Sequence, residues 1–169
     1  MIPTQLASSE FTWRQLPRNR GYELMLNGEF AGSLRHPTIS STACEAATPS
    51  RNWTFLRTGF WGTGTEIVDS ASRQHVATFE PSWNNRGTLI FADGQSFSLH
   101  CRGIWHPTWT IKSSAGESVG SLHMREKTAE IAPGAVLDAN RQMLLVMFML
   151  YRVLQAEEDA AVVAVAAAS

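Results

Sequence analysis

The sequence predicts a mainly β protein, a closed antiparallel barrel of repeated hairpins around a hydrophobic C-terminal α-helix. Three observations support this fold: short alternating runs separated by turn residues, a repeated seven-residue motif, and one dense apolar run near the C-terminus. The chain has 169 residues, of which 44% are hydrophobic and 17% charged, a composition that is typical of a globular protein. We expect a single domain over residues 1–169, with a barrel body at about 10–132, a central helix at about 138–159 and a low-complexity tail at 160–169.

The alternating runs occur in pairs that are joined by tight-turn residues. Residues 22–26 and 29–34 flank Asn27 and Gly28, and Asn-Gly between alternating runs is the strongest short-range signal of a β-hairpin. The same design predicts further strands at residues 53–56, 66–69, 76–79, 87–91, 96–99, 109–111 and 119–122. The segment 36–50, rich in Ser, Thr and Ala, is predicted to be a connection, with one irregular strand inside it as an alternative.

A short repeat links two of these hairpins. GEFAGSL at residues 28–34 and GESVGSL at 116–122 are identical at five of seven positions, which favours a structural repeat over chance similarity of composition. Repeated hairpins with turn signals every ~8–12 residues are typical of a barrel or a sandwich.

The apolar run is nine residues long at 143–151 and reaches about twelve positions with Val153 and Leu154. Twelve helical residues cover ~18 Å, which is short of the ~30 Å hydrocarbon layer of a bilayer. A longer span would include four charges, each costing ~2.5–3.5 kcal/mol near the membrane centre: Arg152, Glu157, Glu158 and Asp159. We therefore predict that the run is a helix inside the barrel, and that the three acids mark its exit into solvent.

Residue type favours a helix over a strand for this run, because Met, Leu and Phe outnumber the β-branched residues. Asp138 or Asn140 is a suitable N-cap. The predicted central helix contains Met143, Leu144, Leu145, Val146, Met147, Phe148, Met149, Leu150, Tyr151, Val153 and Leu154.

Composition also limits the partners. A formal net charge of −1 and an isoelectric point near 6.5 argue against a broad attraction to nucleic acid, and none is expected as a partner. Cys44 and Cys101 match no disulfide framework and are interpreted as reduced. The first residues show no basic segment followed by an apolar core, so we expect a cytoplasmic protein.

No motif in the sequence predicts a catalytic residue, a metal ligand or a cofactor. His100, Cys101 and His106 have no established metal-site spacing, and a strand would send His100 and Cys101 to opposite faces. There is no Gly-x-Ser-x-Gly nucleophile elbow and no phosphate-binding glycine loop, so we expect a protein that is not an enzyme.

One loop stands out for binding. Phe60 and Trp61 lie in the glycine-rich segment 59–65. The composition favours an aromatic loop that caps a barrel end, and the alternative is that both residues contact a ligand or a membrane interface.

Five short motifs follow one another along the barrel body: WTFLR at 53–57, IVD at 67–69, VATF at 76–79, WTI at 109–111 and GESVG at 116–120. Their order, completed by the apolar helix, resembles the tubby C-terminal-like superfamily, which includes tubby domains, plant LURP-one-related proteins and phospholipid scramblases. The resemblance covers about residues 22–156.

This resemblance implies a closed barrel of about a dozen strands around a central helix, and it implies function less directly. Tubby domains bind phosphoinositides through basic residues, but the arginines of this chain are scattered along the sequence without a visible cluster. Scramblases carry a cysteine-rich segment, which this chain lacks, and an acidic calcium-binding segment, for which residues 138–140 are too short. The leading hypothesis is a non-catalytic tubby-like or LURP-one-like binding or scaffold module of unknown ligand.

Two alternatives stay open. The first is a membrane-associated, scramblase-like protein that binds phospholipid or phosphoinositide at the membrane surface. The second is an enzyme with a pocket at the barrel mouth.

Overall fold

The computed structural model describes residues 9–37, 42–133, 135 and 137–169. Within these residues the chain forms twelve antiparallel strands in a closed barrel, followed by one α-helix, so the predicted fold class is confirmed. A short 3₁₀ turn, Pro17–Asn19, connects the first two strands. The elements are β1 (Ser9–Gln15), β2 (Gly21–Leu26), β3 (Glu29–Arg35), β4 (Ala43–Ala47), β5 (Asn52–Thr58), β6 (Gly64–Asp69), β7 (His75–Pro81), β8 (Gly87–Phe91), β9 (Ser96–Arg102), β10 (Thr108–Ser113), β11 (Ser118–His123), β12 (Thr128–Ile131) and α1 (Ala139–Ala168).

Each strand pairs with its neighbours in sequence, and β1 pairs with β12 to close the barrel. The predicted hairpin of β2 and β3 is present, with Leu26 opposite Glu29. Its turn residues, Asn27 and Gly28, have φ of 53° and 82°, the positive values that a tight hairpin turn requires.

Three strands were not anticipated as such. β1 and β12 have no Asn-Gly or Asp-Gly dipeptide beside them to mark a hairpin. β4 lies in the segment predicted to be a connection, of which residues 38–41 are outside the described part. β4 is rich in alanine, which has a weak intrinsic preference for strands. Pairing with the neighbouring strand β5 stabilises it as a strand. Cys44 and Ala46 are fully buried and pair with Phe55 and Trp53 of β5.

The helix α1 fills the barrel. All of the predicted central-helix residues except the partly buried Met143 are shielded from solvent. The ring of Phe148 lies 5.0 Å from that of Phe79, and the ring of Tyr151 lies 5.0 Å from that of Phe55. The prediction that the apolar run lies inside the protein is therefore confirmed.

α1 is longer than the predicted helix. Asp138 caps its first turn, because the carboxylate accepts a hydrogen bond from the backbone N–H of Arg141 at 2.8 Å. The buried section ends at Gln155, yet the helix continues to Ala168 through residues whose side chains are mostly exposed. The low-complexity tail is thus a helical extension that leaves the barrel.

The glycines of the repeated motif give the helix room. α1 approaches the backbones of β3, β11 and β12. A Cβ atom on Gly32 of β3 would collide with the Met147 side chain, and one on Gly120 of β11 would lie 3.7 Å from that of Met149. The two copies of the motif therefore place a residue without a side chain where a strand faces the helix.

Candidate functional site

The two ends of the barrel can be assigned from strand direction alone. Because all pairs are antiparallel, the connections that follow odd-numbered strands lie at one end, and those that follow even-numbered strands lie at the other. α1 begins at the second end, where Arg141 bonds to Asp93 in the β8–β9 turn at 2.8 Å. It leaves the barrel at the first end.

The end from which α1 leaves carries a group of exposed apolar side chains. They lie on three neighbouring loops, residues 59–63, 82–86 and 103–107, which we call the aromatic loops. Each side chain is between 83% and 92% exposed. The residues are Phe60, Trp61, Trp83, Ile104 and Trp105.

Phe60 and Trp61, the two predicted contact residues, therefore share one end of the barrel with three further exposed apolar residues that no sequence motif indicated. Phe60 and Trp61 stack edge to face with centroids 5.1 Å apart and otherwise face solvent, so they do not cover the barrel core. The three tryptophans follow one another at 22-residue intervals, one per pair of strands, and this spacing is a sequence signal that identifies them.

Beside these loops lies a basic groove on the outer wall of the barrel. Its volume is about 240 Å³, and its lining residues are Arg86, His100, Arg102, Thr108, Thr110 and Lys112. Register explains the grouping, because Arg102 pairs with Thr108 and His100 pairs with Thr110 across β9 and β10. Outward-facing residues of adjacent strands thus become neighbours, although the sequence separates them.

The charges of the basic groove act on His100. Partial burial, followed by the positive charges of Lys112, Arg86 and Arg102, lowers the pKa of His100 below its ordinary value of 6.5. His100 is therefore neutral near pH 7. None of the six lining residues is acidic, so the groove is an uncompensated positive site.

A cluster of polar contacts, which we call the exit clasp, holds α1 where it leaves the barrel. The Tyr22 hydroxyl donates to Glu157 at 2.5 Å, His36 Nε2 lies 2.5 Å from a carboxylate oxygen of Glu158, and Arg57 donates to Glu158 at 2.9 Å. Asp159 lies 3.5 Å from the same guanidinium. The sequence predicted only that these acids mark the exit of the helix. In the structure they are bound by side chains from β2, from the loop after β3 and from β5.

The exit clasp shifts the protonation of its members. The hydrogen bond to Glu158 raises the pKa of His36, although burial opposes this. Burial would raise the pKa of Glu158, but the hydrogen bonds and charges of His36 and Arg57 outweigh it, so that the pKa is lowered. Both groups are consequently held in their charged forms over a wider pH range than when free.

Inside the barrel near the same end, Arg152 is a buried cation. Its guanidinium donates to Gln155 at 2.5 Å and lies 4.8 Å from the centre of the Phe79 ring, a cation–π contact. Gln155 in turn donates to the Tyr151 hydroxyl at 2.8 Å. Burial lowers the pKa of Arg152. No carboxylate pairs with Arg152 in the described part of the chain.

The predicted histidine and cysteine neighbours do not converge. His100 lies in the basic groove on the outer wall, whereas Cys101 packs against the core, as expected for consecutive strand residues. Among the residues that the structure describes, no group of three or more His, Cys, Asp or Glu side chains is arranged to hold a metal ion. In the same residues, no helix is both long and apolar enough to cross a bilayer.

Comparison with known proteins identifies similarity in fold. No family model and no curated protein matches the chain. A solved structure of a protein from Arabidopsis thaliana is similar, with a TM-score of 0.59 and 9% sequence identity over 89% of this chain and 91% of that chain. At this identity the similarity supports the barrel architecture and carries no information about activity.

Proposed function

We propose that the protein is a non-catalytic binding module that docks on membrane surfaces through its aromatic loops. The observation that carries this proposal is the exposure of Phe60, Trp61, Trp83, Ile104 and Trp105 at one end of the barrel. Leaving one such side chain in water rather than burying it costs roughly 1.5–3 kcal/mol. Five of them together form an apolar surface of the kind that marks an interaction site.

The residue types favour a membrane interface over a protein partner. Tryptophan has an apolar ring and an N–H donor, and it is enriched at the headgroup level of bilayers for that reason. The adjacent basic groove adds positive charge at the same end, which suits an anionic lipid surface. The whole chain has a net charge of −1, so this attraction is local.

Membership of the tubby C-terminal-like superfamily is part of the proposal. The motif order, the closed barrel and the enclosed helix support it. Because the chain lacks the cysteine-rich and acidic segments of scramblases, we place it nearest to the simpler members of the group, the LURP-one-related proteins. A scaffold function remains compatible with membrane docking, since the opposite barrel end and most of the wall stay free for other contacts.

Vesicle flotation of the purified full chain tests the proposal. We expect the wild-type protein to float with phosphatidylcholine vesicles that contain phosphatidylserine. The triple variant Trp61→Ala, Trp83→Ala, Trp105→Ala is expected to bind at least 10-fold more weakly, since each 1.4 kcal/mol of lost interfacial burial is about tenfold in affinity.

The matched control is Phe30→Ala. Phe30 is 48% exposed but lies at the opposite end of the barrel, next to the β2–β3 turn. The Phe30→Ala variant should bind vesicles as strongly as the wild-type protein does. Equal flotation of the triple variant and the wild type would overturn the proposal, and so would a wild-type protein that binds no vesicle.

A further inference from the structure

We propose that the barrel end at which α1 begins holds a binding site for a small aromatic carboxylic acid, a single ring that carries one acidic group. The site is a cleft between the first turns of α1 and the barrel wall, which we call the mouth cleft. It lies at the opposite end from the aromatic loops, so this inference does not rest on membrane docking.

The inner part of the mouth cleft is apolar and belongs to the barrel core. Trp53, Phe91 and Leu144 line it, although only 2–3% of each residue is exposed. Val76, at the start of β7, is partly buried and completes the apolar wall. Two aromatic side chains in one apolar cleft favour a planar ring as the ligand, because aromatic pairs gain stability beyond the area that they bury.

The volume of the mouth cleft limits the ligand to one ring. An apolar cavity of about 150 Å³ is large enough to bind benzene, whereas drug-sized ligands occupy pockets of roughly 300–1,000 Å³. The mouth cleft has a volume of about 200 Å³, which lies between these two cases. A ring with one small substituent therefore fits it.

Two arginines at the rim favour an acidic substituent. Arg141 bonds to Asp93 at 2.8 Å, and its guanidinium lies 4.2 Å from the centre of the Phe91 ring, so its charge is already paired. Arg51 lies in the β4–β5 loop, and within the described ranges no ion pair involves it. A guanidinium offers a planar fork of N–H donors that matches a carboxylate. Arg51 is therefore the carboxylate partner.

The two other polar residues of the rim are compatible with an acid. The Asp138 carboxylate already accepts a hydrogen bond from the backbone N–H of Arg141 as the helix cap. The side-chain oxygen of Asn140 accepts a hydrogen bond from the Ser50 hydroxyl at 3.3 Å. Its amide N–H groups are thus left to donate to a ligand oxygen.

NMR titration of the full chain with benzoate, benzamide and benzylamine tests the site. The three probes share the ring and differ in charge. We expect benzoate to bind about fivefold more tightly than benzamide, the upper range for one exposed ion pair, and benzylamine to bind most weakly. The indole N–H signal of Trp53 should shift saturably. That of Trp109, which is buried at the opposite end of the barrel, should not move.

Two variants test the two halves of the site. Arg51→Gln should weaken benzoate binding by about fivefold and leave benzamide binding unchanged. Val76→Phe adds a ring to the wall of the cleft and should abolish the Trp53 shift with both probes. The matched control is Arg73→Gln, which removes the same charge from the β6–β7 turn at the same barrel end, outside the cleft. It should leave both affinities unchanged.

Three outcomes would overturn the inference. One is a Trp53 signal that shows no saturable shift up to about 20 mM benzoate, since even an inefficient ligand of this size should bind by then. Another is binding of benzamide or benzylamine that is as tight as that of benzoate. The third is an equal loss of benzoate affinity in Arg51→Gln and Arg73→Gln, which would indicate a general effect of charge. Each of these leaves membrane docking at the opposite end intact, because vesicle flotation tests docking separately.

Discussion

The substitution Phe148→Ala tests whether α1 is the core of the barrel. Phe148 is 0% exposed, and its ring lies 5.0 Å from that of Phe79 on the barrel wall. Removing a buried phenyl ring loses its transfer free energy and leaves a cavity, at a cost of about 3–5 kcal/mol. A loss of this size is a substantial fraction of the roughly 5–15 kcal/mol by which a domain of this kind is stable.

Urea unfolding followed by circular dichroism measures the cost, and thermal unfolding should show a midpoint lower by about 6–20 °C. Val162→Ala is the control, since Val162 lies on the same helix beyond the barrel and is 68% exposed. Its effect should stay within about 0.5 kcal/mol. A cost of less than about 1 kcal/mol for Phe148→Ala would refute the packing of α1 inside the barrel.

Three further predictions concern the helix and its exit. Gly32→Ala should lower the free energy of unfolding by about 1–3 kcal/mol through overpacking against the helix, and Gly120→Ala, whose added Cβ meets no atom closer than 3.0 Å, should lower it less, as measured by urea unfolding. His36→Gln should destabilise the protein most between about pH 4.5 and 6.5. Because the pKa of His36 is raised, its contribution to the free energy of unfolding is complete below pH 6.5 and is lost at higher pH. Because the pKa of Glu158 is lowered, its contribution is complete above pH 4.5 and is lost at lower pH. The difference in the free energy of unfolding between the two proteins, measured from about pH 4 to 9, should therefore shrink toward the alkaline limit. Asp138→Ala removes the helix cap and should cost about 1 kcal/mol in the same assay, and no change would mean that the cap is not formed.

Local signals were sufficient for most of the barrel. Asn27 and Gly28 specify a turn by their backbone preferences, and alternation of apolar residues then determines the inward face of β2 and β3. β4 escaped prediction because alanine and cysteine carry little strand preference, and their burial depends on Trp53 and Phe55 of the next strand. The strands could thus be predicted from the sequence wherever the turn residues and the side-chain periodicity indicated the same hairpin.

The candidate site was much less predictable, because it is assembled from distant parts of the chain. Glu158 lies 122 residues after His36 and 101 after Arg57, and nothing local indicates that they meet. The basic groove likewise depends on the register between β9 and β10, which places Arg102 opposite Thr108. The tryptophan spacing was visible in the sequence, but its meaning requires knowing that every second loop lies at the same end.

The position of α1 after all the strands has a consequence for biogenesis. The ribosome releases every strand of the wall before it releases the helix that fills it, and β1 must wait for β12 before the cylinder can close. Pairing of such distant segments is intrinsically slow, and until it is complete the inward faces of the hairpins, with Trp53, Phe79 and Trp109, stay open to water. We therefore expect the barrel to close only after α1 has been synthesised, with nascent chains that depend on chaperones to keep these aromatic faces from aggregating until then.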